Sequence, residues 1–264
     1  MRRLLTFASE GVELAASLDG TGGRTGLLLV TGGSQTRVGS HRMYERLAKS
    51  LAQLGYPCLR YDRRGVGDSG GEDPGFRGSA PDLKAAASLF RRESPGLERM
   101  FGLGLCDGAT AIALFGAEAK LDGLILVNPW LVEADSGEPA PAAIRAHYRR
   151  RLLSREGWKK LLSGAVDYRK LLRGIRRISA KQQASSLALD TAAALAGSGL
   201  RAWTILAEGD ATAIAAQQEL KAAAFNGLIE GRETIKSDSH TFARDGDDTA
   251  LLTAVVRAVE ALSA

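Results

Sequence analysis

Met100-Phe101-Gly102-Leu103-Gly104-Leu105-Cys106-Asp107-Gly108-Ala109-Thr110-Ala111 decides how this chain folds. An apolar run of strand length ends in G-x-C-x-G and passes without a spacer into an Ala-rich stretch. The pattern predicts a buried strand, a tight turn and a helix from Asp107 to about Ala117. The residue at the apex of such a turn takes a strained backbone and its neighbours must be small, a demand that Gly104 and Gly108 meet. With 31 glycines and two cysteines in 264 residues, chance gives about 0.03 matches to this pattern. Cys106 stands at a helix start, where unpaired N–H groups and the dipole favour negative charge, as a cysteine nucleophile requires. The competing reading is a buried structural cysteine, which is the reading adopted for Cys58, mid-strand in Tyr56-Pro57-Cys58-Leu59-Arg60.

Outward from that turn, short apolar runs alternate with helical patterns, the signature of a mostly parallel sheet with helices on both faces. Toward the amino terminus, Leu4 to Ala8 and Val12 to Leu18 form an antiparallel opening hairpin through Glu10-Gly11. Leu27 to Thr31 is a buried strand, followed by Gly32-Gly33-Ser34 and a helix from about His41 to Leu54. A strand over Pro57 to Tyr61 opens into a Gly/Pro-rich loop, Arg63 to Pro81, before a helix from Asp82 to about Arg92. Toward the carboxyl terminus, strands are expected at Leu124 to Val127, Ala202 to Leu206 and near Thr234 to Lys236. Helices are expected from about Ala213 to Phe225 and at the chain's end.

Between Pro129 and about Gly199 the alternation stops and only helical patterns remain. Residues 1–128 and 200–264 are therefore expected to form the core, and 129–199 a helical cap inserted into it. Arg145 to Arg177 holds twelve Lys or Arg against Glu156 and Asp167. The segment carries +10 of a net +5, leaving −5 for the rest. Its apolar residues recur at helical spacing, so one face is buried and the other positive. Arg149, Arg150, Lys159 and Lys160 are candidates to steer an anionic acyl carrier or acidic glycan, or to meet an anionic membrane surface. Such steering predicts a kcat/KM that falls with salt for an anionic substrate only.

A 45% hydrophobic and 25% charged composition excludes a disordered or fibrous chain. Two cysteines in separate apolar segments give no disulfide framework, and no apolar stretch approaches the roughly 20 residues of a membrane span. A signal-peptide core is broken by Ser9 and Glu10. A cytoplasmic location is expected, with no nucleic-acid partner, cofactor or metal.

The rest of the site is sought by elimination among three histidines. A base for the nucleophile must sit on a loop at the carboxyl end of the sheet, and His240, after the last strand, does so. His41 opens a helix and His147 lies in the basic segment. The orienting acid should follow a preceding strand; Asp210, in the turn Ala207-Glu208-Gly209-Asp210, gives the chain order nucleophile, acid, histidine. Glu208 is an alternative, as are Glu133 and Asp135, and Asp210 otherwise reads as a helix cap. The oxyanion needs two N–H donors. Asp107 N–H is one, and the second comes from Gly33 or Ser34.

A second match, Gly67-Asp68-Ser69-Gly70-Gly71, is G-x-S-x-G. No helix follows it for some ten residues, so Ser69 is read as part of a loop. With these positions marked, the sequence resembles the α/β-hydrolase superfamily over almost its full length. The marks are the turn at Cys106, Asp210 with His240, and Asp62-Arg63-Arg64-Gly65-Val66-Gly67-Asp68-Ser69, similar to the D-x-R-G-x-G-x-S stretch of many members. Thr31 to Arg42 and Gly209 to Ala213 resemble the exosortase A system-associated hydrolases of Gram-negative bacteria, a family linked to exopolysaccharide production and surface-protein sorting. The resemblance implies an α/β-hydrolase fold and a Cys106–His240–Asp210 triad. The expected activity is hydrolysis of an ester or thioester, small or carrier-bound, through an acyl-enzyme. Acyl transfer to a glycan or lipid and a catalytically silent binding protein are the alternatives.

Overall fold

A computed structural model of the chain describes residues 1–132 and 184–264. Eight strands form one sheet in the order β1-β2-β4-β3-β5-β6-β7-β8. They are β1 (Arg2–Ser9), β2 (Val12–Asp19), β3 (Thr25–Val30), β4 (Cys58–Tyr61), β5 (Arg99–Leu105), β6 (Gly123–Val127), β7 (Ala202–Ala207) and β8 (Ile229–Ile235). β1 and β2 pair antiparallel through Glu10-Gly11, β2 meets β4 antiparallel, and every later pairing is parallel. The mostly parallel sheet is the one anticipated from the alternation, and its order with the antiparallel start is the α/β-hydrolase fold that the resemblance implies.

Period-2 alternation sends the strands' apolar side chains to opposite faces. On β3, Leu28 and Val30 join one core cluster, and Leu27 and Leu29 join the other. The first face is covered by α2 (Ala80–Glu93), α3 (Asp107–Phe115) and α4 (Ser186–Ser198); the second by α1 (Met43–Gln53) and α6 (Asp247–Ser263). A shorter helix, α5 (Ala211–Glu219), follows β7. α4 ends the segment expected as a cap, yet Leu187, Ala188, Ala192 and Leu195 are buried, the last three in the same cluster as α2 and α3. The Ser185 hydroxyl caps α4 and also donates to the Leu131 carbonyl, so the chain leaves the core and returns to it at one place.

Three elements differ from the sequence expectation. β8 begins at Ile229, five residues before Thr234, because its side chains alternate between half-buried and exposed along an edge strand and leave no apolar run to read. α2 starts at Ala80, with Pro81 in its first turn, where proline's missing N–H costs nothing. Asp82 does not cap that helix. Buried, its carboxylate binds the Ser9 hydroxyl and the Arg64 backbone and guanidinium. α5 stops at Glu219, and a separate short turn covers Ala223–Phe225.

Candidate active site

Cys106 stands between β5 and α3 with φ 60° and ψ −127°, a conformation that costs a non-glycine residue about 1–3 kcal/mol. Its surroundings allow little else. A Cβ on Gly104 would lie 2.5 Å from the Gly108 carbonyl carbon and oxygen, and one on Gly108 would lie 2.6 Å from the Val30 carbonyl. The two glycines of G-x-C-x-G therefore let the helix start press against β5 and against the end of β3. Gly32 closes the same seam from the other side, since a Cβ there would sit 2.4 Å from the Leu105 carbonyl and 2.9 Å from the Cys106 Cβ. The fully buried Tyr44 hydroxyl donates to the Val30 carbonyl at 3.0 Å and accepts from Leu105 N–H at 3.1 Å. It tethers the loop after β3 to the turn after β5. Cys106 is only partly buried, whereas Cys58 is enclosed on β4, where burial pushes its thiol pKa up.

Asp210 and His240 come together as their positions in the sequence implied. The Asp210 Oδ2 accepts from Ala213 N–H at 2.9 Å and lies 3.0 Å from His240 Nδ1. The two readings of this aspartate therefore coexist: it caps α5 and faces the imidazole with one carboxylate. Glu208 lies exposed beside it. Cys106 also acts on the ionisation of His240. Burial works against the imidazolium, but hydrogen bonds to Asp210 and Cys106, with the charge of both, carry the His240 pKa from 6.5 up to about 10.

Two residues that the sequence did not single out for this site hold the His240 loop. Asn128, fully buried just after β6, donates to the His240 carbonyl at 3.0 Å and accepts from Ala207 N–H at 2.8 Å. It links the ends of β6 and β7 to the histidine loop. His41, expected only to open a helix, sits at φ 42° ahead of α1 and places Nε2 2.8 Å from the Thr241 carbonyl. That distance to a carbonyl makes Nε2 the donor, and Nδ1 accepts from Arg46 at 3.2 Å. The only sequence signals were a polar residue directly after a buried strand and a histidine in a glycine-rich turn.

On the oxyanion side, Asp107 opens α3, so its N–H is one of the first four without a partner inside the helix. Gly33 N–H donates to the Asp107 carboxylate at 2.5 Å, while Ser34 N–H has no partner among the described residues. Arg63, 3% exposed, donates to the Gly33 carbonyl at 2.6 Å and to Asp73 at 3.2 Å. Ser69 is engaged on both sides: its hydroxyl accepts from Ala15 N–H at 3.0 Å and donates to the Asp62 carbonyl at 2.8 Å. Arg149, Arg150, Lys159, Lys160 and His147, like Glu133 and Asp135, lie outside the described residues. Among the described residues no three His, Cys, Asp or Glu side chains cluster as metal ligands, and no helix is long and apolar enough to cross a membrane.

The family described as Serine aminopeptidase, S33, matches residues 32–214. No curated relative matches the chain. Among solved structures it is similar to an esterase of Pyrococcus furiosus, with a TM-score of 0.64 at 14% identity over 97% of this chain and 91% of that one. An α/β hydrolase from Penicillium superposes at 0.64 with 19% identity over 99% and 98%. A dienelactone hydrolase from Anabaena variabilis does so at 0.62 with 16% identity over 97% and 95%. At these identities the likeness is one of fold.

Proposed function

The chain belongs to the serine aminopeptidase, S33, family of α/β-hydrolases, and on that premise we propose that it hydrolyses esters or thioesters through Cys106, His240 and Asp210. The observation that carries this is the 3.0 Å pairing of His240 Nδ1 with the buried Asp210 carboxylate at the carboxyl ends of β7 and β8, with Cys106, at the end of β5, acting on the same imidazole. The family takes its name from a serine nucleophile, and cysteine fills the same turn here. A thiolate is the stronger nucleophile toward an acyl carbonyl, and thioester exchange is its natural reaction.

In this reading the Cys106 sulfur attacks the carbonyl carbon, the C–S bond forms, and backbone N–H groups, that of Asp107 among them, hold the oxyanion. His240, charged up to about pH 10, donates its proton to the departing alcohol or thiol as that bond breaks. Having given up that proton, the neutral imidazole is the base for the second half: it takes a proton from water as the oxygen attacks the thioester carbonyl, and the C–S bond breaks to return the Cys106 thiolate. Asp210 keeps Nδ1 protonated and Nε2 directed at the sulfur. The similar esterase and dienelactone hydrolase structures support the ester class.

We keep within this proposal the role in exopolysaccharide or surface-protein export implied by the exosortase-associated resemblance, and salt-sensitive steering of an anionic acyl substrate by Arg149, Arg150, Lys159 and Lys160. The test is direct. Incubation with p-nitrophenyl esters and acyl-CoA thioesters of graded chain length should leave an acyl adduct on Cys106, detected by peptide mass spectrometry. Turnover without any adduct there would remove cysteine from the reading, and an adduct released only to a hydroxyl acceptor would make the protein an acyltransferase.

A further inference from the structure

The turn that follows β6, Val127-Asn128-Pro129-Trp130, supplies no member of the proposed triad, yet it is bonded to the main chain at or just before each of them. Cys106 N–H donates to the Val127 carbonyl at 3.0 Å, and the Cys106 carbonyl accepts from Trp130 N–H at 3.1 Å. Asn128 N–H donates to the Ile205 carbonyl on β7, the strand that leads to Asp210. The Asn128 side chain completes the set. Its Oδ1 accepts from Ala207 N–H, at the end of β7, at 2.8 Å, and its Nδ2 donates to the His240 carbonyl at 3.0 Å.

Asparagine answers three demands at this position. The side chain is fully buried, so both halves of its amide need partners, and each has one. One partner is a donor and the other an acceptor, a pair that neither a carboxylate nor an apolar side chain of that size serves. The backbone stands at φ 42°, a left-handed conformation that asparagine tolerates better than most residues and that persists only where the surroundings over-determine it. Other contacts hold the loop on either side of His240: His41 bonds the Thr241 carbonyl, and the Ser237 hydroxyl donates to the buried Asp247 at 2.5 Å. Asn128 grips the main chain of His240 itself.

We propose that Asn128 is a positioning residue of the active site: its amide fixes the His240 main chain against the end of the strand that leads to Asp210, from a turn that also holds both main-chain groups of Cys106. This rests on Cys106, His240 and Asp210 as the reacting set, and adds to it a side chain that acts through the histidine's backbone.

Asn128→Gly and Asn128→Asp test it. Glycine accepts the left-handed backbone and removes both side-chain bonds. Its kcat on the best p-nitrophenyl ester should fall about 10- to 100-fold with KM within about threefold, since a misplacement of about 1 Å costs up to about 10²-fold. The ratio of that kcat to wild type's should not change with pH. Aspartate keeps an oxygen for Ala207 N–H. Protonated, its other oxygen still donates to the His240 carbonyl; ionised, it sets a negative charge against that carbonyl, and burial raises the pH at which this happens. The kcat of Asn128→Asp should therefore lie within about threefold of wild type near about pH 5 and fall to the Asn128→Gly level by about pH 9, along one ionisation absent from the glycine ratio. A role in stability alone would lower the melting temperature and leave both kcat values at wild type.

Alkylation of Cys106 by iodoacetamide needs no substrate. Its rate at neutral pH in Asn128→Gly should fall toward that of His240→Ala, because the imidazole supports the thiolate. A kcat ratio for Asn128→Asp that is flat with pH would overturn the inference, as would a glycine variant with wild-type kcat or wild-type alkylation. If Asn128→Gly does not fold, Asn128→Asp decides alone, since its two protonation states are compared within one folded protein. Absence of an acyl adduct on wild-type Cys106 would instead sink the functional reading, and the alkylation rates would still decide whether Asn128 positions His240.

Discussion

Gly104-Leu105-Cys106-Asp107-Gly108 and Gly67-Asp68-Ser69-Gly70-Gly71 carry the same spaced glycines around a potential nucleophile, and the fold uses them for opposite ends. In the first, the glycines are contact points. Each removes a Cβ that would strike backbone, and the side chain between them is left partly exposed toward His240. In the second, Gly67 and Gly71 supply positive φ for a loop that binds back onto β2, with Gly70 N–H on the Glu13 carbonyl and the Ser69 hydroxyl between Ala15 and Asp62. The Ser69 proton is given to a backbone carbonyl, that of Asp62, and not to a general base that could activate the oxygen. The lesson is that the elements before and after the motif decide, and only the first has a strand running into it and a helix running out.

The sharpest way to break this comparison is to remove each side chain in turn. Cys106→Ala should lose about 10³-fold or more of ester turnover, while Ser69→Ala should stay within about threefold of wild type and lose about 1 kcal/mol of stability from its two backbone hydrogen bonds. Kinetics and urea melts of both variants check it; retained activity in Cys106→Ala would transfer the nucleophile to the other motif.

Next in size is the relay behind the cysteine. His240→Ala should be nearly as damaging as Cys106→Ala, and the double variant no worse than either, because the pair acts as a unit. Asp210→Asn should cost less than either, up to about 10⁴-fold in kcat. Asparagine still offers an oxygen to Ala213 N–H, so α5 stays capped and any loss belongs to His240. A near wild-type rate in Asp210→Asn would move the acid to Glu208.

The smallest effect is one of stability. The folded-state pKa of His240 is raised from 6.5 to about 10, so its contribution is fully present below about pH 6.5 and is lost as pH rises through about 10. The melting temperature of wild type should therefore exceed that of His240→Gln most at pH 6, and the gap should close toward pH 10.5. Ser69→Ala, which touches no titrating group, should show a gap independent of pH across the same range. A gap for His240→Gln that is flat with pH would mean that the contacts with Cys106 and Asp210 do not hold the imidazolium.

The sequence makes the sheet's centre legible because β3, β5, β6 and β7 are buried on both faces and read as unbroken apolar runs. β8 is an edge strand whose exposed positions are Glu230, Arg232 and Thr234, and its beginning has no such signature. The three residues of the proposed triad are legible because each sits at a strand end with a local signal: a glycine turn, a helix cap, the last loop. Asn128 and His41 were not. Asn128 meets His240 across 112 residues and His41 meets Thr241 across 200, through contacts that no local pattern encodes. The second oxyanion donor is open between Gly33 and Ser34 in the sequence for the same reason, since the contacts around it, with the Asp107 carboxylate and with Arg63, span 74 and 30 residues.

The elbow at Cys106 is built almost wholly from main chain and absent side chains: the carbonyls of Val30 and Thr31 against Gly108, that of Leu105 against Gly32 and that of Gly108 against Gly104. Nothing in that seam inspects the chemistry of the side chain at position 106. Cysteine and serine differ by one atom and by a single base in a codon, so lineages can exchange sulfur for oxygen at this position without renegotiating the fold, and a family named for serine can hold a thiol member. The glycines have no such latitude, and natural variation at this turn should fall on the reactive atom long before it falls on the empty spaces around it.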